Sequence, residues 1–142
     1  MNDERRAKIN VAVVDIQRIT IDLSLAYEIN KASKENAEKI QAIIGRLLRV
    51  SDELQEVFEK EVGVYYNLTA GLRKTYRGEQ MSDTIDELDK AIDQLECVIA
   101  KIKRRVFVSD LYFSIRKYSD AIKDLSEIAD KLSEIEALYV KV

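Results

Sequence analysis

Proline is absent from this 142-residue chain, and glycine occurs only four times. These two residues normally punctuate a sequence, breaking helices and setting turns. Without them helical periodicity runs on for long stretches, and the chain is constrained to a few long helices. The first is expected over residues 3–30. Ser33 then offers an N-cap for a second helix, after the short polar stretch Asn30, Lys31, Ala32. That helix carries Ile40, Ile43, Leu47, Leu54 and Phe58 on one stripe. Gly63 could end it, but the stripe continues through Tyr65, Leu68, Leu72 and Tyr76. The spacing therefore predicts one helix to residue 77, with Gly63 as the place for a kink.

Residues 78–81, Gly-Glu-Gln-Met, read as the clearest loop, and Ser82 as the cap of a third helix. Its apolar positions are Ile85, Leu88, Ile92, Leu95, Ile99, Ile102 and Val106. The steps alternate between three and four, which is a heptad seam. After Val106 the phase breaks, and Ser109 caps a last helix with the seam Leu111, Ile115, Tyr118, Ile122, Leu125, Ala129, Leu132 and Ile135. A period near 3.5 implies left-handed supercoiling against a neighbour. Short connections make consecutive helices antiparallel neighbours. The expected fold is all-α: one domain over residues 1–142, an elongated antiparallel four-helix bundle with long helices and coiled-coil-like packing. A helix of roughly 28 residues spans about 42 Å.

Composition narrows the chemistry. Histidine is absent and cysteine occurs once. Serine–histidine and cysteine–histidine nucleophile systems are excluded, as are histidine-ligated metals. A single cysteine forms neither an internal disulfide nor a thiolate cluster, so nothing points to secretion. The opening Met-Asn-Asp-Glu-Arg-Arg leads into no apolar signal stretch, and no apolar run approaches the ~18 residues of a membrane span. The expectation is a cytoplasmic protein with no membrane, metal or cofactor. Isoleucine and charged residues are abundant while Asn, Gln, Cys and Met are sparse, a balance common in thermophile proteins.

The first helix is apolar on two sides. Ile9, Val13, Ile16, Ile19 and Leu23 form one face; Val11, Val14, Ile21, Leu25 and Ile29 form another, nearly opposite. Asn10, Gln17, Ser24 and Glu28 occupy one strip between them, and Asp15 and Asp22 the other. Such a helix is either covered on both sides within the monomer or offers one face to a partner. On the second reading Val11, Val14, Ile21 and Leu25 are an oligomer interface. Cys97 falls opposite the seam of its helix, beside Asp93 and Glu96, which disfavour a thiolate.

Charge is segregated along a chain whose net charge is −3. Residues 79–96 carry seven acids and one base, whereas residues 101–117 carry Lys101, Lys103, Arg104, Arg105, Arg116 and Lys117 against Asp110 alone. These cations flank the expected turn at 106–109, with Phe107, Tyr112 and Phe113 among them. A basic pole with aromatics can grip phosphates and stack bases, or dock an acidic protein surface. The helix dipole alone attracts Lys101 to Arg105 to a C-terminus, but it does not explain Arg116 and Lys117 near a helix start. Arg73, Lys74 and Arg77 form a smaller cluster, read as a helix C-terminus.

Acids three apart, at Glu53, Glu56 and Glu59 and at Asp86 and Asp89, have the spacing that holds magnesium in some helical nucleotide hydrolases. The same spacing arises on the solvated face of any acidic amphipathic helix, and no glycine-rich phosphate loop accompanies it. Asn67-Leu68-Thr69 matches a glycosylation sequon inside an expected helix. The chain therefore reads as a non-enzymatic interaction and assembly module, its partner a protein: itself or a larger complex. The alternative is a nucleic-acid-facing protein using the pole formed by Lys101, Lys103, Arg104, Arg105, Tyr112, Phe113, Arg116 and Lys117.

Overall fold

The computed structural model describes the backbone of residues 2–28, 34–106 and 114–138, and the side chains of 2–26, 38–103 and 120–137. Among these residues there are five α-helices and no strand: α1 (Asp3–Glu28), α2 (Lys34–Tyr66), α3 (Ala70–Arg73), α4 (Tyr76–Val106) and α5 (Ser114–Leu138). The expected caps at Ser33 and Ser109, the turn residues 107–109 and Leu111 lie outside the described residues. Asn2 starts α1: its Oδ1 accepts the Arg5 N–H at 2.9 Å, and its carbonyl accepts the Arg6 N–H at 3.1 Å. Asp3 and Glu4 follow in the first turn, where the helix dipole favours acids.

Two sequence expectations are corrected between α2 and α4. The second helix does not reach residue 77. It passes through Gly63 and ends at Tyr66, followed by a reversal built on α3. Arg73 holds the end of α2. Its Nε donates to the Tyr65 carbonyl at 3.3 Å and its Nη2 to the Tyr66 carbonyl at 2.5 Å. Its guanidinium also lies 5.5 Å from the centroids of both tyrosine rings. These contacts satisfy carbonyls that a helix end leaves open, and they add cation–π attraction.

Thr69 caps α3, its side chain accepting the Leu72 N–H at 3.3 Å. Thr75 caps α4: its Oγ1 accepts the Gly78 N–H at 3.3 Å, and its carbonyl accepts the Glu79 N–H at 2.9 Å. Residues 78–81 are therefore helical rather than a loop, and Ser82 lies inside α4 rather than capping it. Gly78 is needed for closeness. A Cβ there would sit 2.4 Å from the Leu72 carbonyl oxygen and 2.5 Å from that of Arg73. Only glycine lets the reversal lie so tightly over the first turn of α4.

Among the described residues the long helices bury most of the seam positions read from the sequence, with Phe58, Ile85 and Ile122 half-buried and the side chains of Val106, Ile115 and Tyr118 outside the described residues. α1 packs against α2 and α5, and α4 packs against the same two helices, while α3 touches α4. Leu47, Val50, Leu54 and Val57 of α2, Leu88, Leu95 and Ile102 of α4, and Leu125, Ile128, Leu132 and Ile135 of α5 are all buried. This core is aliphatic; Phe58 only packs at its edge. At ~1.5–3 kcal/mol for each large side chain removed from water, it is the main source of stability.

Ion pairs join the helices at their margins. Arg5, Lys8 and Asp22 of α1 meet Glu61, Glu56 and Arg46 of α2, so the numbering rises on one helix as it falls on the other. Arg6 reaches Glu136 of α5 at 3.3 Å, and Lys101 of α4 reaches Asp124 of α5 at 3.9 Å. Glu61 takes the next seam position after Leu54 and Val57 and is fully buried, held by Arg5.

Candidate partner-binding surface

The two faces of α1 have different fates. Ile9, Val13, Ile16, Ile19 and Leu23 are buried against α2 and α5. The opposite face is open: Val11 is 53% exposed, Val14 38%, Ile21 60% and Leu25 54%. The reading in which both faces are covered within the monomer is thus corrected for these four positions. The reason is geometric. Among the described residues α1 packs mainly against two helices, α2 and α5, on its buried side, and no further long helix is present there to cover the outer one. Ile29, read as part of the same face, lies outside the described residues.

Ala7 and Arg18, both exposed, complete the outer row. Ala7, Val11, Val14, Arg18, Ile21 and Leu25 follow one another at steps of four and three, the spacing that seats one helix on another. Asn10 and Gln17 border the row on one side. Asp15 and Asp22 border it on the other, with Asp22 held by Arg46 at 2.5 Å. Asp15 itself lines a shallow open groove between α1 and α2, with Ile19, Arg46, Arg49, Val50 and Glu53. Four large aliphatic side chains in one exposed row are a larger apolar strip than scattered surface residues make.

The basic pole is placed only in part. Lys101, Lys103, Arg104 and Arg105 fall in the last turns of α4, and Arg116 and Lys117 in the first turn of α5. Lys101 and Lys103 are exposed. The side chains of Arg104, Arg105, Arg116 and Lys117, and Tyr112 and Phe113 altogether, lie outside the described residues. The cluster Arg73, Lys74 and Arg77 divides. Arg73 clamps the end of α2, whereas Lys74 and Arg77 are exposed without ion pairs among the described residues. Beside them Tyr66, Leu72 and Tyr76 are exposed, a second apolar cluster that the sequence stripe concealed by extending through it.

The acidic spacings do not build a site. Glu53, Glu59, Asp86 and Asp89 are exposed. Glu56 is engaged by Lys60 at 3.0 Å and Lys8 at 3.4 Å. The Lys60 hydrogen bond and charge, with the Lys8 charge, hold the Glu56 carboxyl below its ordinary value of 4.5. The Glu56 hydrogen bond and charge raise Lys60 in turn. Among the described residues no three acidic or cysteine side chains converge as a metal site, and no helix is long and apolar enough to cross a membrane. Cys97 is exposed, on the side of α4 away from its seam. No protein-family model, no curated protein and no solved structure matches the chain.

Proposed function

We propose that this protein is a non-enzymatic helical interaction module that enters an assembly through the outer face of α1. One observation carries the reading. Val11, Val14, Ile21 and Leu25 stand exposed at heptad spacing on a helix whose other face is already buried. The exposed row has the form of a helix-in-groove contact, with anchors on one helical face. Leaving four large aliphatics in water contributes nothing to a monomer's stability and invites association. Behind this face we place α1, α2, α4 and α5 as an elongated antiparallel four-helix bundle. The opposed numbering of the α1–α2 ion pairs and the α1–α2–α4–α5 circuit of contacts support that arrangement. Such a bundle would give the row a rigid backing, and rigid presentation lowers the ordering cost of binding.

The test is the double variant Val14→Asp/Ile21→Asp, produced in the native host and compared with the wild type by gel filtration of the cleared extract. The wild type is expected to elute well above its 16.3 kDa mass. The variant is expected at that mass, with unchanged circular dichroism. A variant that unfolds, or one that still enters the large species, refutes the reading. Salt-dependent oligonucleotide binding that survives in the variant but is lost on changing Arg104, Arg105 and Arg116 to Ser would instead establish the nucleic-acid reading.

A further inference from the structure

Building on the interaction-module reading, we infer that the outer face of α1 pairs with the same face of a second copy, antiparallel, about a two-fold axis level with Ile16. The seam selects a helix as the occupant, and its charges select this one. Arg18 is the single cation within the row, and it makes no ion pair among the described residues. Asp15, one turn before it on the flank, makes none either, whereas Asp22 is taken by Arg46. Each copy therefore offers Arg18 without an ion pair and, one turn away, Asp15, which lines the α1–α2 groove with Arg46 and Arg49 but is ion-paired to neither.

The charges set the register: an axis level with Ile16 brings each copy's Arg18 nearest the partner's Asp15 while keeping the described aliphatics of the row in facing layers. A two-fold axis there sets Val11 opposite the partner's Ile21, Ala7 opposite the partner's Leu25, and Arg18 over the partner's Val14. Arg18 then lies beside the partner's Asp15, and two cations meet two anions across the axis. A parallel pair would instead set Arg18 against Arg18 in one layer, where like charges repel. The other border, Asn10 and Gln17, is uncharged and meets itself without penalty. An antiparallel pair uses each face once, so the assembly closes at two copies instead of extending. The strip is smaller than the ~20–30 residues a side of a standard interface, so the pair is a concentration-dependent equilibrium.

The experiment uses the full chain with Cys97→Ser, so that any introduced cysteine is the only thiol. In the Gln17→Cys variant the two thiols face each other across the axis, and mild oxidation is expected to give a disulfide-linked dimer rapidly. In the Asn10→Cys variant they lie about 18 Å apart along the helices, beyond the ~7 Å between Cα atoms that a disulfide tolerates, so cross-linking is expected to be slow. Arg18→Asp is expected to weaken association at least roughly tenfold, because it sets a like charge beside the partner's Asp15, and unchanged association in that variant overturns the charge pairing. Equal cross-linking at both positions, or faster linking at Asn10→Cys, overturns the antiparallel pair. A purified wild type that stays monomeric at all concentrations overturns the second copy as occupant. If the native-host assembly still depends on Val14 and Ile21 in that case, the module reading stands; if it does not, both fall.

Discussion

The Arg5–Glu61 pair should behave as a coupled unit whose loss on one side costs far more than its replacement on both. Glu61 is fully buried, with Oε1 bound by the Arg5 Nε and Oε2 without a hydrogen-bond partner among the described residues. Arg5 keeps 14% of its side chain exposed. Removing one member of a buried pair leaves the other charge stranded, at ~3–5 kcal/mol. Arg5→Met strands the fully buried partner and belongs at the upper end of that range. Glu61→Leu strands Arg5, which can extend along its aliphatic stem toward water, and belongs at the lower end. The double variant continues the α2 seam with a leucine and is expected to be neutral or more stable by ~1–4 kcal/mol. Urea unfolding followed by far-ultraviolet circular dichroism at one fixed protein concentration gives all four corners of the cycle. A double variant as unstable as the sum of the two singles would show that the pair is not coupled, and the reasoning from burial would fail.

Other outcomes follow from the same structure. Leu95→Ala, at a fully buried seam position, is expected to cost ~2–5 kcal/mol in urea unfolding, and Ile21→Ala within about 0.5 kcal/mol in the dissociated protein. Gly78→Ala drives a Cβ against the Leu72 and Arg73 carbonyls and is expected to cost ~1–3 kcal/mol, with thermal unfolding as the measure. Glu56 is depressed in the folded protein, so its stabilisation is present above its ordinary value of 4.5 and is lost as pH falls through the lower folded value. An NMR titration is expected to show Glu56 protonating at lower pH than in the Lys60→Met variant, and equal midpoints would dismiss the contact.

The seams were legible because burial follows period. The inward face of α1, the rows along α4 and α5, and the outward position of Cys97 can all be read from spacing alone. The reversal at 67–75 was not, because Leu68, Leu72 and Tyr76 keep helical spacing across it while two of them end up exposed. Its sequence signal lay in Thr69 and Thr75, both residues that cap helices, six positions apart. Gly78 misled for a physical reason: glycine marks close approach as well as chain reversal, and here it serves the former. Glu61 was missed because the stripe read through Leu54, Phe58 and Tyr65 passes it by, and its partner Arg5 belongs to a distant segment that only the tertiary structure brings near. The outer face of α1 was visible as apolar. Whether the monomer covers it depended on how many helices surround α1, which no local pattern encodes.

The concentration dependence of thermal unfolding, wild type beside Val14→Asp/Ile21→Asp, tests most directly whether that face is open and built for a partner copy. Dimerisation through the row should raise the wild-type midpoint as protein concentration increases, by mass action. The variant should unfold at a midpoint independent of concentration and equal to the low-concentration limit of the wild type, since charges at exposed positions cost the monomer little. A variant midpoint far below that limit at every concentration would mean that two charges have been buried inside the monomer, and the outer face of α1 would not be a binding surface.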